Sequence, residues 1–487
     1  MVKSLLTASF NTRATTAGAT QYWILGTAPL TLSATEANVA VPYRSAGTFS
    51  KLYIRVTANT TSASSTLVVR KNGADQALTL TIPAATAGVF EDTTNTFSIT
   101  AGDLVNYKTV SGGTGVVTIS LISVIFDATT NCVSKLIADG VAHTSASASR
   151  FHVISGANSA VSSSGTTPNN TIRKVATFKN HATYVSANAR TTNTVFTLRK
   201  NAVDSTVTVT FGNVETGLKE DSTHTSVTAA NDVLDYKTST GTGTETLTTE
   251  YEAIEAEHAT DCLVSASSLG ASADQIANFA TTWYMPIGGS TQIFSSEANT
   301  QQKPRAGFII SELTFRTNVN TLDGACVVTL RKNGADTALT VTMTAGSTTP
   351  VTDSTHTVSV GSNDDINLSI VSAGTTGAIT LRQIAVWLKT VPERSLSDSI
   401  TISEPSMIRR TARLRTSGAE TVTISETRNR VNGAVRAMAA QTVTISDSIA
   451  KLVTEVGGVI EKIITETAIT VSSSIARLKR VWRLQPP

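Results

Sequence analysis

Two acidic residues recur at one spacing in this chain: Asp92 with Asp103, then Asp221 with Asp232, eleven residues apart in each pair. Carboxylates brought together from two loops are hard oxygen donors of the kind calcium takes, so these four are the candidate metal ligands. A second reading is open for the same residues. Asp92 and Asp221 open the stretches DTTN and DSTH, where an aspartate closes an Asx-turn, and Asp103 sits where it would cap the turn before its strand. The chain has no dense DxDxDG run, which favours the turn reading.

Other groups offer less chemistry. The six histidines, at 143, 152, 181, 224, 258 and 356, include no pair at zinc-ligand spacing, and there is no CxxC. His224 and His356 occupy one place in the repeated DSTHT, where another copy has Asn95, as suits a loop hydrogen-bonder. No GxSxG, P-loop or Rossmann glycine run is present, so no serine or threonine is singled out as a nucleophile, and no cofactor is implied. Tyr22 and Trp23 in QYWIL, and Trp283 and Tyr284 in TWYMPI, are the candidates for stacking on a glycan, set against a core or interface strand. Cys132, Cys262 and Cys326 make an odd count. Cys132 and Cys262 stand at similar places in successive repeats, so a disulfide between them is not expected and all three read as small buried thiols.

These residues are positioned by a repeat. TLVVRKNGADQALTL (66–80), VFTLRKNAVDSTVTV (195–209) and VVTLRKNGADTALTV (327–341) place Arg70, Arg199 and Arg331 at offsets of 129 and 132. Asp92, Asp221 and Asp353 keep the same offsets, and so do Asp103, Asp232 and Asp364. Spacing held over such a length means whole domains of one fold rather than a short solenoid unit. Within each copy apolar residues alternate with polar ones on both sides of the KNGAD turn, which makes a hairpin. Ala202 replaces the turn glycine in the second copy, so that turn is either of another type or strained. Further strands follow at short intervals with Gly-rich turns, and no helical period is found in residues 1–390. The fold class is all-β: three tandem jelly-roll sandwiches over residues 1–129, 130–260 and 261–391, then a repeat region of short strands and helix over 392–487.

The order of a strand ending in Lys71-Asn72-Gly73, a second strand, and a strand opened by Ala101-Gly102-Asp103 resembles the trimeric jelly rolls of the tumour necrosis factor and complement-collagen-head superfamily, and related domains of phage fibre and head proteins. Lys332, Asn333 and Gly334 with Asn363 and Asp364 repeat it, while Asn231 and Ser362-Asn363 depart from its glycine. The resemblance implies trimerisation through one sheet face, either between chains or among the three copies of one chain.

After Pro392 another repeat begins, with SITIS at 399–403, TVTIS at 421–425 and 442–446, and AITVS at 468–472. Ile449, Leu452, Val453, Val456, Val459, Ile460 and Ile463 have helical spacing, interrupted by Gly457–Gly458. Such short strands make sense if they pair with one another, along the chain or around a trimer axis, as a clamp or anchor.

Composition narrows the function classes. Only 15% of residues are charged, and the net charge is +3. Residues 394–487 hold fourteen Lys or Arg against eight Asp or Glu, too sparse for a nucleic-acid arm. No secretory segment is evident at the start, and no run approaches the ~18–20 apolar residues of a membrane span. A glycan-cleaving enzyme would need a pair of carboxylates in a groove, and none stands out. The expectation is a virion structural protein, a head decoration or fibre or a tail-associated fibre, homotrimeric and in contact with other virion proteins, with a host glycan as a further partner. The alternative is a secreted cell-surface adhesin or extracellular filament subunit.

Overall fold

The computed structural model describes residues 2–391 apart from 28–31, 157–161, 166–168, 268–274, 277–281 and 289–292, and beyond them seven short strands between 401 and 471. Antiparallel strands dominate; among the described residues helix is confined to single 3-10 turns such as Glu36–Asn38 and Glu297–Asn299. Residues 1–392 form one compact unit and 393–487 a second.

In the first repeat the strands are β1 (Val2–Ala14), β2 (Thr20–Trp23), β3 (Val41–Pro42), β4 (Gly47–Asn59), β5 (Ser65–Lys71), β6 (Ala74–Ile82), β7 (Gly88–Ile99), β8 (Leu104–Val110) and β9 (Val117–Ala128). They make two sheets in the orders β1-β9-β4-β7 and β2-β8-β5-β6, with the short β3 also on β8. This is jelly-roll connectivity, in which successive long strands alternate between the two sheets before the hairpin β5–β6. The second repeat, from Cys132 to His258, and the third, from Asp261 to Thr390, repeat both sheet orders. The period-two pattern sets the inner faces: Leu78, Leu80 and Ile82 are buried while Thr79 and Thr81 between them face out. Phe49 centres the first core, with Tyr43, Phe97 and Phe126 all within 5.3 Å centroid to centroid.

The hairpin turn is the same in all three copies. Asn72 and Gly73 have φ of 49° and 79°, Asn333 and Gly334 have 52° and 77°, and Asn201 and Ala202 have 52° and 66°. The second copy therefore keeps the turn type and holds an alanine in the left-handed region, at about 1–2 kcal/mol relative to a relaxed backbone.

The three sandwiches close on themselves within one chain. The outward face of each first sheet is covered by the loop that leads into the fourth strand of another repeat. Tyr251 Oη donates to Ala40 O at 2.7 Å, Tyr53 Oη and Arg55 Nε donate to Gln301 O at 3.4 and 3.2 Å, and Gln383 exchanges hydrogen bonds with the Thr171 backbone at 2.7 and 3.2 Å. Arg44, Arg173 and Arg305, at the repeat offsets, pair with Glu220, Glu312 and Glu91. The cycle thus runs from the first repeat to the second, the second to the third, and the third back to the first. Glu91 and Glu220 are equivalent by offset; in the third repeat that offset lands on Thr352, and Glu312 supplies the carboxylate instead. A repeated heterologous contact that closes after three steps is a ring with pseudo-threefold symmetry.

The ring brings β1 and the first strands of the other repeats, Cys132–Asp139 and Asp261–Ser267, into contact at its centre. There Lys3 N donates to Thr390 Oγ1 at 2.7 Å. There too Cys132 and Cys262 form a disulfide, with Cα atoms 5.5 Å apart. This corrects the reading of both as free thiols. Equivalence between repeats argued against pairing only while the repeats were pictured side by side; convergence of the first strands makes near-equivalent positions neighbours. Cys326 is a buried thiol, pushed up to about 12 by burial.

In the second unit Thr421–Thr423, Thr442–Ile445 and Ile469–Val471 form a three-stranded antiparallel sheet, so copies of this repeat pair along the chain. Thr401–Ser403 pairs with Arg409–Thr411. The segment read as helical contains two strands instead, Val453–Val456 paired with Val459–Lys462. Its β-branched residues suit a strand, and the Gly457–Gly458 pair that weakens a helix stands between the two strands. Ile449, Leu452 and Ile463 lie outside the described residues.

Candidate functional site

The aspartates nominated as calcium ligands are occupied by backbone. Asp92 Oδ1 accepts from the N–H groups of Thr94 and Asn95 at 3.2 and 3.0 Å, and its Oδ2 from Thr79 N at 3.2 Å. Asp221 repeats this with Thr223, His224 and Thr208, and Asp353 with Thr355, His356 and Thr340. Each such carboxylate closes an Asx-turn and ties it to the neighbouring hairpin. Burial acts to raise Asp221, but those N–H donors and the His224 ring outweigh it and hold the carboxyl at about 2. Asp103 and Asp232 serve a different junction: Asp103 accepts from Thr100 N at 2.8 Å and Asn72 Nδ2 at 2.6 Å, and Asp232 from Ala229 N and Asn201 Nδ2, both at 2.7 Å. The two members of each pair share no partner. Among the described residues no three His, Cys, Asp or Glu side chains are arranged to hold a metal ion.

The aromatic candidates are built into the sandwiches. Trp23 is fully buried against Phe10, and Trp283 is half-buried against the third core. Tyr22 and Tyr284 are half-buried and lie 5.8 Å from the guanidinium carbons of Arg70 and Arg331. Those two arginines also hold Glu36 and Glu297 at 2.6 Å, and they pair with Asp75 and Asp336. The arginine of the repeated hairpin is therefore a brace that joins turn, ring and 3-10 segment. In the second copy Phe151 lies 4.6 Å from Arg199, and the position of Glu36 falls on Gly165 by offset. Arg199 keeps the hairpin aspartate, Asp204, and turns to the buried Asp235 in place of the glutamate, each at 3.5 Å. Burial pushes Asp235 up to about 7 against the pull of Arg199.

The structure assembles a cluster that histidine spacing did not reveal. His143, His152 and His181 meet Glu252 inside the second sandwich. His152 Nδ1 is 3.0 Å from Glu252 Oε1 and its Nε2 is 2.5 Å from Thr238 Oγ1. His181 Nε2 is 3.6 Å from Glu252 Oε2, and its ring stacks on Tyr236 at 4.9 Å. The His143 ring lies 5.6 Å from that of His152, and neither of its nitrogens has a hydrogen-bond partner. Burial pushes Glu252 up, but His152 and then His181 overcome it and hold the carboxyl at about 2. Burial, with His152 next, brings His143 down to about 3. At neutral pH the cluster is thus an anionic carboxylate under imidazoles, one of which stays neutral.

Register shows how local this is. His152 lies opposite Tyr236 as Trp23 lies opposite Tyr107 and Met285 opposite Leu368. His181 faces Asp221 as Leu52 faces Asp92 and Leu313 faces Asp353. Glu252 faces Thr183 as Ile122 faces Ile54 and Ile384 faces Phe315. Three apolar core positions of the other repeats have become two imidazoles and a carboxylate. Comparing the repeats in register, rather than scanning for motifs, is the signal that could have found them. His152, His181 and Glu252 side chains are at most 3% exposed, so the cluster offers no face to a substrate. Nearby Arg190, also fully buried, donates to the carbonyls of Glu245, Gly241 and Gly243 at 2.7, 3.0 and 2.9 Å, which staples the loops at one end of that sandwich.

A scan against protein-family models finds no match to this chain, and a search of curated proteins returns no relative.

Proposed function

We propose that this chain is a structural protein of a virus particle, a head decoration or fibre or a tail-associated fibre, that presents its jelly rolls at the particle surface. The observation that carries the reading is the ring. Three jelly rolls of one chain bury, against each other, the sheet faces that separate chains bury in the trimeric heads this sequence resembles. A protein so built works by holding surfaces in a fixed threefold arrangement. The C-terminal strands, which pair among themselves, are the attachment or clamping region in this reading, and association of whole chains into a homotrimer falls to them rather than to the occupied ring faces. The glycan reading loses its carriers, whose rings are buried or half-buried, and is not taken further.

The disulfide supports the second reading, a secreted adhesin or filament subunit, because such bonds persist outside the reducing cytosol; particle surfaces meet the same condition. Gold-labelled antibody against the purified chain separates the two. Label at regular sites on isolated particles is the expected result, and label confined to the surface of producing cells overturns the virion reading.

A further inference from the structure

On the outward face of the second sandwich, beneath the first, two polar side chains sit where the other repeats are apolar, and a third reaches them from a β-bulge. Lys135 and Glu255 lie directly opposite each other on neighbouring strands, and both are buried. The corresponding pairs are Leu5 with Ile125 and Leu263 with Trp387. Asn180, on the strand beyond, is the extra residue of a β-bulge with φ of 55°, where the other repeats have Lys51 and Glu312 at 59° and 56°. The bulge turns its side chain inward: Asn180 Nδ2 is 2.6 Å from Glu255 Oε2, and the residue is 7% exposed. Glu255 also accepts from Arg44 N at 3.0 Å and Ser45 Oγ at 3.3 Å. Lys135 Nζ has no hydrogen-bond partner, and its charged neighbours are Glu255, Glu220 and Arg44, with the Tyr43 ring 5.9 Å away. A lone buried ammonium is costly, whereas a buried amine is a nucleophile.

We propose that Lys135 and Asn180 are joined by an intramolecular isopeptide bond, with Glu255 carrying the proton. Lys135 and Asn180 flank Glu255 across two strand spacings, roughly 10 Å, which the two extended side chains cover together. Burial disfavours the charged form of Lys135, against the pull of Glu255 and Glu220, and in the proposed reaction its ammonium hands one proton to the Glu255 carboxylate opposite it. The free amine of Lys135 attacks Asn180 Cγ and forms the new C–N bond. Glu255 returns the proton to the amide nitrogen of Asn180, the old C–N bond breaks, and ammonia leaves, taking up the second proton of the amine. Lysine ammonium and asparagine amide become one secondary amide and ammonium, with no oxidant or cofactor. Arg44 and Ser45 of the first repeat close over the carboxylate, so the site is completed when the ring forms. The bond would fasten the first strand of the second sandwich to Ala176–Asn188, two places along the same sheet, across the strand between them.

Mass spectrometry of the reduced, denatured full chain tests this. The wild type is expected to weigh one ammonia less than its sequence, with a protease-derived peptide pair linked through Lys135 and Asn180. Asn180→Asp is expected to lose one water instead, because the leaving group changes with the acyl donor. Lys135→Arg and Glu255→Gln are expected at full mass with the two peptides separate. A wild-type chain at full mass with unlinked peptides overturns the proposal whatever the variants do, and linkage in Glu255→Gln at the wild-type level overturns the proton-carrying role.

Discussion

The second sandwich and its two neighbours share sheet orders, register and hairpin turn, yet their interiors are made of different material. The first and third repeats fill their cores with Trp23, Leu52 and Ile122, or Met285, Leu313 and Ile384; the second places His152, His181 and Glu252 at those points. Its outward face differs in the same way, with Lys135 and Glu255 in place of apolar pairs. A jelly roll is therefore specified by alternation and turn chemistry more than by the identity of any one core residue. Buried charge is tolerated where a partner answers it, as His152 does for Glu252, and it should make this repeat the one that responds to pH and to loss of a single side chain.

Breaking the cluster gives the largest expected effect. Glu252→Ala leaves two imidazoles buried without their acceptor and should cost about 3–5 kcal/mol, read as a lower denaturation midpoint. Grafting the third repeat's residues together, His152→Met, His181→Leu and Glu252→Ile, should be neutral or stabilising by up to about 4 kcal/mol. If the graft were as damaging as the single change, the equivalence of the three cores would be wrong.

Next is the bond at the ring's centre. Cys132 and Cys262 are separated by 130 residues, and Cys132→Ser should lower stability by about 2–4 kcal/mol under oxidising conditions and by nothing under reducing ones.

Acid should follow. His143 sits at about 3 in the fold against ~6.5 for a free imidazole, so between those values the unfolded chain binds the additional proton. The contribution is intact above about pH 6.5 and shrinks as pH falls, reaching about 2 kcal/mol lost at pH 5. Glu252, at about 2 in the fold, adds to the loss in the same direction below about pH 4.5. Denaturant midpoints at pH 7 and pH 5 measure the slope, and His143→Ala should flatten it.

The smallest effect tests the turn. Ala202→Gly relieves a left-handed alanine at φ of 66° and should stabilise by about 0.5–1 kcal/mol, whereas Gly73→Ala in the first repeat should destabilise by a similar amount.

These contrasts also explain what could be read from the chain alone. The hairpins, the two-residue alternation and the repeat offsets are local or periodic, so the jelly rolls were legible from residues such as Leu78, Leu80 and Ile82. The cis ring was visible only as one of two options, because Arg44 and Glu220 are far apart in sequence and their pairing depends on how whole domains turn toward each other. The disulfide was misread for the same reason. The Asx-turn reading of Asp92 and Asp221 rested on the Asp-Thr-Thr and Asp-Ser-Thr stretches, which are local and whose Thr94 and Thr223 do supply N–H donors. The histidine cluster has no local signature: its members come from strands that meet only across the sandwich.

The central claim is that the three repeats close their ring within one chain. Co-producing isotopically heavy and light chains in one cell, then mapping the Cys132–Cys262 peptide under non-reducing conditions, tests it most directly. Closure in cis predicts only heavy–heavy and light–light pairs; mixed heavy–light pairs at the statistical level would contradict it and place the repeats in a ring formed between chains.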